Sequence, residues 1–162
     1  MVQLTPHEFL DQFVRPSVAD WRRDYLDIRL AKQAISELNN MAERMFSHWG
    51  AGTPQVYNTR NAYDYRLWLA QQECGDFQLV WDIADAHKHI KLDRPSRAVT
   101  HDAQASPGKL GYGEGLYGEG IYGGAEQLVV QLDDGTRRAI LGVIGRVLQM
   151  WEHILARQDW TP

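Results

Sequence analysis

The sequence predicts a mainly helical α+β fold: a helical bundle with one long N-terminal helix, a C-terminal helix and a small antiparallel sheet or hairpin. Three observations predict it. Apolar residues recur at helical spacing through most of 1–92, and again over 138–157. Between them, from about 97 to 135, lie a glycine-rich tract and a short β-branched run. No linker-like tract divides the 162 residues, so a single domain over 1–162 is expected. A chain of that size buries about 70% of its unfolded surface.

The elements are taken in chain order. Thr5-Pro6-His7-Glu8 is a capping box with proline at the first helical position. Phe9, Leu10, Phe13 and Val14 supply the apolar side of that helix. Pro16 is expected to end it at Arg15, because a residue before proline avoids the α region. Ser17 or Asp20 can cap the next helix. Trp21, Ile28, Ala31, Ile35, Leu38, Ala42, Met45 and Trp49 then form a heptad seam. Neither proline nor glycine falls between Ser17 and Trp49, so one helix of roughly 45–48 Å is expected. That exceeds the diameter of about 40 Å for a compact chain of this length. The seam must therefore find an antiparallel partner within the chain or a second copy. Ile28, Ile35, Leu38 and Met45 are its candidate interface residues.

Gly50-Ala51-Gly52-Thr53-Pro54 is a break. A third helix is expected from about 59 to 74, with Ala62, Tyr65, Trp68 and Leu69 for burial. Gly75 fits a left-handed helix end and Asp76 the next cap. The fourth helix should run over 77–91, with Phe77, Val80, Ile83, Ala84 and His87 as its stripe, until Asp93-Arg94-Pro95-Ser96 stops it. Residues 97–104 alternate as a strand does. The tract from Gly108 to Gly124 holds eight of the 14 glycines and a period-five repeat: Tyr112-Gly113-Glu114-Gly115-Leu116, then Tyr117-Gly118-Glu119-Gly120-Ile121. A flexible or extended loop is expected there, and Tyr112, Tyr117 and Tyr122 offer a contact surface. Residues 127–132 have strand composition and Asp133-Asp134-Gly135 a turn. The terminal helix, 138–157, carries Ile140, Ile144, Val147, Leu148, Trp151, Ile154 and Leu155. Gly142 and Gly145 weaken it by roughly 1 kcal/mol each and admit close approach of another backbone. Trp21, Trp49, Trp68, Trp81 and Trp151 are expected to be largely buried.

Composition excludes several classes. Apolar residues are 44% and charged residues 23%, ordinary for a globular chain. Net charge is −4, which weighs against a general nucleic-acid binder. Cys74 is the single cysteine, so multi-cysteine zinc patterns and internal disulfides are excluded. No secretory leader and no apolar run of ~18 residues is read, so a soluble, cytoplasmic protein without a membrane partner is expected.

The densest polar cluster is Trp81-Asp82-Ile83-Ala84-Asp85-Ala86-His87-Lys88-His89. On a helix, Asp82, Asp85 and His89 share one face and are proper ligands for a divalent metal. Asp85, His89 and Lys88 are also the acid/base candidates. His7, His48, His101, His153, Glu73 and Glu152 are the other potential ligands, none at a diagnostic spacing. The competing reading is an ordinary solvated Asp85–His89 pair near a helix end. The glycine tract is no phosphate loop: no Lys-Ser or Lys-Thr follows, and its glutamates repel phosphate. Helical context makes Cys74 a buried thiol.

Arg94 and His101, with six residues between them, resemble the Arg-x(4–6)-His pair of HEPN-type proteins, helical bundles that are often dimeric and some of which are ribonucleases. That resemblance implies a ribonuclease using those two residues. The segment departs from the family pattern at Pro95, which takes it off the helix. Arg44 and His48 are helical but only three residues apart. The leading expectation is a non-enzymatic, self-associating interaction or accessory protein, a homodimer or the partner of another protein. A metal-dependent or acid/base enzyme on the Asp-x-x-Asp-x-x-x-His face is the alternative, and it alone calls for a cofactor, a divalent metal.

Overall fold

The computed structural model describes residues 2–94, 97–111, 113–116, 118–121 and 124–158. Among the described residues, five helices and a three-stranded antiparallel sheet form the expected mainly helical α+β fold. Among the described residues no helix is long and apolar enough to cross a membrane.

Thr5 caps the first helix as its sequence requires. Its Oγ1 accepts from the Glu8 amide at 3.2 Å, and the Glu8 carboxylate accepts from the Thr5 amide at 2.8 Å. This helix, α1, does not end at Arg15. It runs on over 6–23, as Pro6–Phe9, a π-helical turn Leu10–Val14, and Arg15–Arg23. Pro16 lacks an N–H and crowds the carbonyl four residues back. A wider π turn placed just before it lets the helix pass through.

The long seam is divided. Asp24 leaves helical conformation (φ −137°, ψ 69°), and Asp27 caps a new helix, α2, Ile28–Trp49. The Asp27 Oδ1 accepts from the Arg29 and Leu30 amides at 2.8 and 3.2 Å. At 1.5 Å per residue α2 is about 33 Å long and no longer overhangs the domain. Ile35, Leu38 and Met45 are wholly buried and Ile28 is half-buried against the same core. The seam thus packs inside one chain, and these four residues form no exposed interface. Trp151 reaches across the core, its Nε1 donating to the Leu38 carbonyl at 2.9 Å.

Helix α3 covers 62–73, as Ala62–Trp68 and a π turn Leu69–Glu73, capped by Asn61. Gly75 is right-handed (φ −58°), not left-handed, and leads directly into α4, Asp76–His89. Residues 97–104 are not a strand. The strand lies just beyond: β1, Ala105–Gly108, pairs with β2, Gln127–Gln131, which pairs with β3, Arg137–Ala139. β3 passes straight into α5, Ile140–Gln158. Trp21, Trp81 and Trp151 are buried, while Trp49 and Trp68 are only half-buried.

The glycine tract is more built than a flexible loop. Its two complete repeats are constructed alike. Glu114 donates its amide to the Gly111 carbonyl, and its carboxylate accepts from the Gly111 amide. Glu119 does the same with Leu116. Consecutive arginines of β3 then hold the two glutamates: Arg137 on Glu114 at 2.7 Å, Arg138 on Glu119 at 2.8 Å. Glu119 is buried, and with Asp76, Arg138 and Arg146 it completes a cluster of two acids and two bases. Gly142 makes room for it: a Cβ there would overlap the Glu119 side chain and stand 3.1 Å from the Glu119 carbonyl oxygen. Tyr112, Tyr117 and Tyr122 lie outside the described residues.

Candidate functional site

Helix α4 carries the polar cluster, but burial falls along it from Asp82 through Asp85 to His89. Asp82 is wholly buried. Its Oδ2 accepts from the Ala98 and Val99 amides, the latter at 3.1 Å, and its Oδ1 accepts from the Gln78 amide side chain at 2.9 Å. Arg94 pairs with Asp82 and reaches Asp85 at 3.4 Å, its guanidinium lying 4.0 Å from the centre of the Trp81 ring. Burial pushes the Asp82 carboxyl above the usual carboxylate range, against the pull of the two amides and Arg94. Both Asp82 oxygens are engaged, and two of their partners are the amides that fix the returning segment 97–99. Asp82 and Asp85 meet at Arg94, while His89 is exposed and takes no part in that group. Among the described residues no group of three or more His, Cys, Asp or Glu side chains can hold a metal ion. The metal face is therefore a structural hub and an exposed histidine.

The acid/base candidates are also redistributed. Asp85 is engaged by Arg94, while Lys88 and His89 are exposed and make no ion pair among the described residues. The aspartate–histidine juxtaposition falls instead on Asp102 and His87. The Asp102 Oδ1 takes an ion pair from Lys32 on α2 and stands 3.6 Å from the His87 Nδ1. That is longer than a hydrogen bond. Hydrogen bonding from Lys32 holds the Asp102 carboxyl below the ordinary carboxylate value. Sequence reasoning missed this pair because 15 residues separate its members and only the backbone return brings them together.

That return shapes the most unusual feature of the surface. Ile90 ends α4 with φ +69° and ψ −45°. The Lys91 amide donates to the His89 carbonyl at 2.8 Å, closing a γ-turn centred on Ile90. Positive φ is strained for any residue with a Cβ, and most of all for a β-branched one. The turn is nevertheless held from both sides. The Ile90 amide bonds back to Ala86, the Asp102 amide donates to the Ile90 carbonyl at 3.1 Å, and the Leu92 amide to the Thr100 carbonyl at 2.8 Å. Lys91 and His101 face each other across this short ladder. Burial does not explain the isoleucine: it is 73% exposed. Around it stand His87, Lys88, His89, Lys91 and His101, all exposed. With Lys32 beneath, three of the four lysines of the chain gather at this end of α4. An open groove of about 570 Å³ begins at His101 and continues over Gln104, Gln131 and Arg137.

Two other readings meet the geometry. Arg94 is neutralised by two aspartates and stacked on Trp81, so it is not free to meet a phosphate beside His101. The HEPN-type pair is not assembled. Burial raises the Cys74 thiol above its ordinary value, the opposite of an activated nucleophile. Compared with family models, curated proteins and solved structures, the chain matches none.

Proposed function

We propose that this chain is a non-enzymatic interaction protein that docks a partner on the γ-turn at the end of α4. A single observation carries the reading: a β-branched apolar residue is held at positive φ, in water, within a frame of hydrogen bonds. Strain of this kind persists where the surroundings over-determine it, and it clusters at binding sites. Folding alone gives no reason to keep isoleucine there. The heptad seam no longer argues for self-association, since its residues are spent in the core. The partner on this reading is therefore another protein, and light scattering at high micromolar concentration should give a monomer. The single free thiol, Cys74, fits work in the reducing cytoplasm.

The test is Ile90→Gly. Relief of positive φ is worth roughly 1–2 kcal/mol. Greater freedom of glycine in the unfolded chain offsets about 0.5–1 kcal/mol of that. Stability in urea should hold or rise, while a photo-crosslinker placed at position 90 should give a discrete adduct in cells. A loss of more than about 1 kcal/mol would mean that Ile90 serves the fold, and the docking reading would fall. The second reading, an acid/base enzyme, is favoured only by the Asp102–His87 pair. It requires a reaction that slows by about 10²-fold in His87→Ala and is indifferent to His89→Ala.

A further inference from the structure

Resting on that reading, we infer the chemistry of the partner: an acidic segment of a protein chain with an apolar residue among its carboxylates. The apolar residue meets Ile90, and the carboxylates meet Lys88, His89 and Lys91. Charge complementarity carries the inference. These three residues flank Ile90 along the chain, are exposed, and make no ion pair among the described residues. Asp102, the acid of the neighbouring turn, is already engaged by Lys32 and His87. Lys88 and Lys91 give the patch a positive character, opposed along the chain by the exposed Asp93, although the chain carries a net charge of −4. That contrast selects among anions. A long nucleic acid meets the field of the whole molecule, which repels it, and draws its affinity from many phosphate contacts. A short acidic segment meets only the local patch. Base recognition on single strands also needs aromatic platforms, and the residues around Ile90 include none beyond histidine. An exposed aliphatic side chain flanked by two lysines matches an apolar anchor with a charged rim.

Continuity with the groove gives the segment a direction. His101 opposes Lys91 in the ladder and also opens the groove that leads over Gln104 and Gln131 to Arg137. Asp133 also lines that groove, so a segment anchored at Ile90 continues along it in extended form with its carboxylates at the Ile90 end and uncharged residues beside Asp133.

The experiment uses the full chain and three fluorescein-labelled probes. They are an acidic peptide of glutamates flanking one leucine, the same peptide with lysines for glutamates, and an oligouridine RNA. Anisotropy is read at roughly 20 mM salt, where the Debye length exceeds 10 Å. The acidic peptide should bind, weaken about tenfold with the Lys88→Glu/Lys91→Glu pair and again with Ile90→Gly, and weaken as salt rises to ~0.15 M. The lysine peptide and the RNA should not bind. Acidic-peptide binding that ignores these substitutions, no binding to that peptide, or tighter binding of the RNA would each overturn the inference. A discrete adduct from position 90 without acidic-peptide binding would leave the docking reading standing and remove only the partner class. Destabilisation by Ile90→Gly would remove the docking reading itself.

Discussion

Two glycines three residues apart in α5 should respond to the same substitution with opposite signs. In an ordinary helix interior, alanine is better than glycine by about 0.8–1.0 kcal/mol. At Gly145 the nearest outside atom to an added Cβ is the Arg22 Nη2, 4.0 Å away. Gly145→Ala should therefore gain most of that amount. At Gly142 the added Cβ overlaps the Glu119 side chain and stands 3.1 Å from its carbonyl oxygen. Glu119 cannot step aside cheaply. Its carboxylate is held by Arg138 at 2.8 and 3.0 Å and lies 3.5 Å from Arg146, all beneath the glycine loop. Displacing it leaves buried charge uncompensated, which costs about 3–5 kcal/mol. Less the propensity gain, Gly142→Ala should lose roughly 2–4 kcal/mol. For a chain of this size that lowers Tm by roughly 5–15 °C. Thermal and urea unfolding followed by circular dichroism measure both variants on one scale. If Gly142→Ala is as stable as wild type, Glu119 is not locked against α5 and the glycine loop is not braced in this way.

Three further outcomes are expected. Leu38→Ala should cost ~2–5 kcal/mol in urea unfolding, because Leu38 is wholly buried in the core. Asp82→Ala should cost about 3–5 kcal/mol by orphaning the Ala98 and Val99 amides and leaving Arg94 with Asp85 as its one carboxylate among the described residues. The Asp102 carboxyl is held below 3.8 in the folded chain, chiefly by hydrogen bonding from Lys32. Its contribution is thus present above that unfolded value and lost as pH falls through the folded one. Wild type should lose stability more steeply than Asp102→Asn as pH falls below about 4, by less than about 1 kcal/mol for so exposed a pair.

Legibility in the sequence tracks the range of the forces. The capping box at Thr5, the break at 50–54, the β2 strand and the turn at 133–135 depend on near neighbours, and the residues announce them. The fourth and last helices declare themselves by periodicity. Pattern fails where a distant contact or a local detail overrides it. Nothing in Asp24-Tyr25-Leu26-Asp27 breaks a helix by composition; Asp27 does so by capping the helix that starts at Ile28. Pro16 should end α1, and a π turn prevents it. For the site, periodicity leads to α4, but its aspartates serve the core and not a metal. Asp82 lies among Leu79, Val80, Trp81 and Ile83, all buried. An acid in that setting must find a cation, and Arg94, twelve residues on, is the signal available. The γ-turn at Ile90 leaves no trace in the sequence, since isoleucine is among the last residues expected at positive φ.

The buried and exposed halves of α4 are one device. Asp82 takes the amides of residues 98 and 99, and this fixes where the chain returns. Residues 100 and 102 then hold Leu92 and Ile90 by backbone hydrogen bonds. Asp102, placed by that return, draws His87 and Lys32 together. Gln104 braces the same corner, accepting from the Thr100 and His101 amides at 2.8 and 2.6 Å and donating to the Gln131 carbonyl at 2.7 Å. Conformation at Ile90 is therefore set from the core outward, through the sheet and the helix at once. A strained residue at the end of a frayed helix would relax. This one has no slack on either side, so the energy of the core maintains an exposed apolar residue in a geometry that its own backbone disfavours.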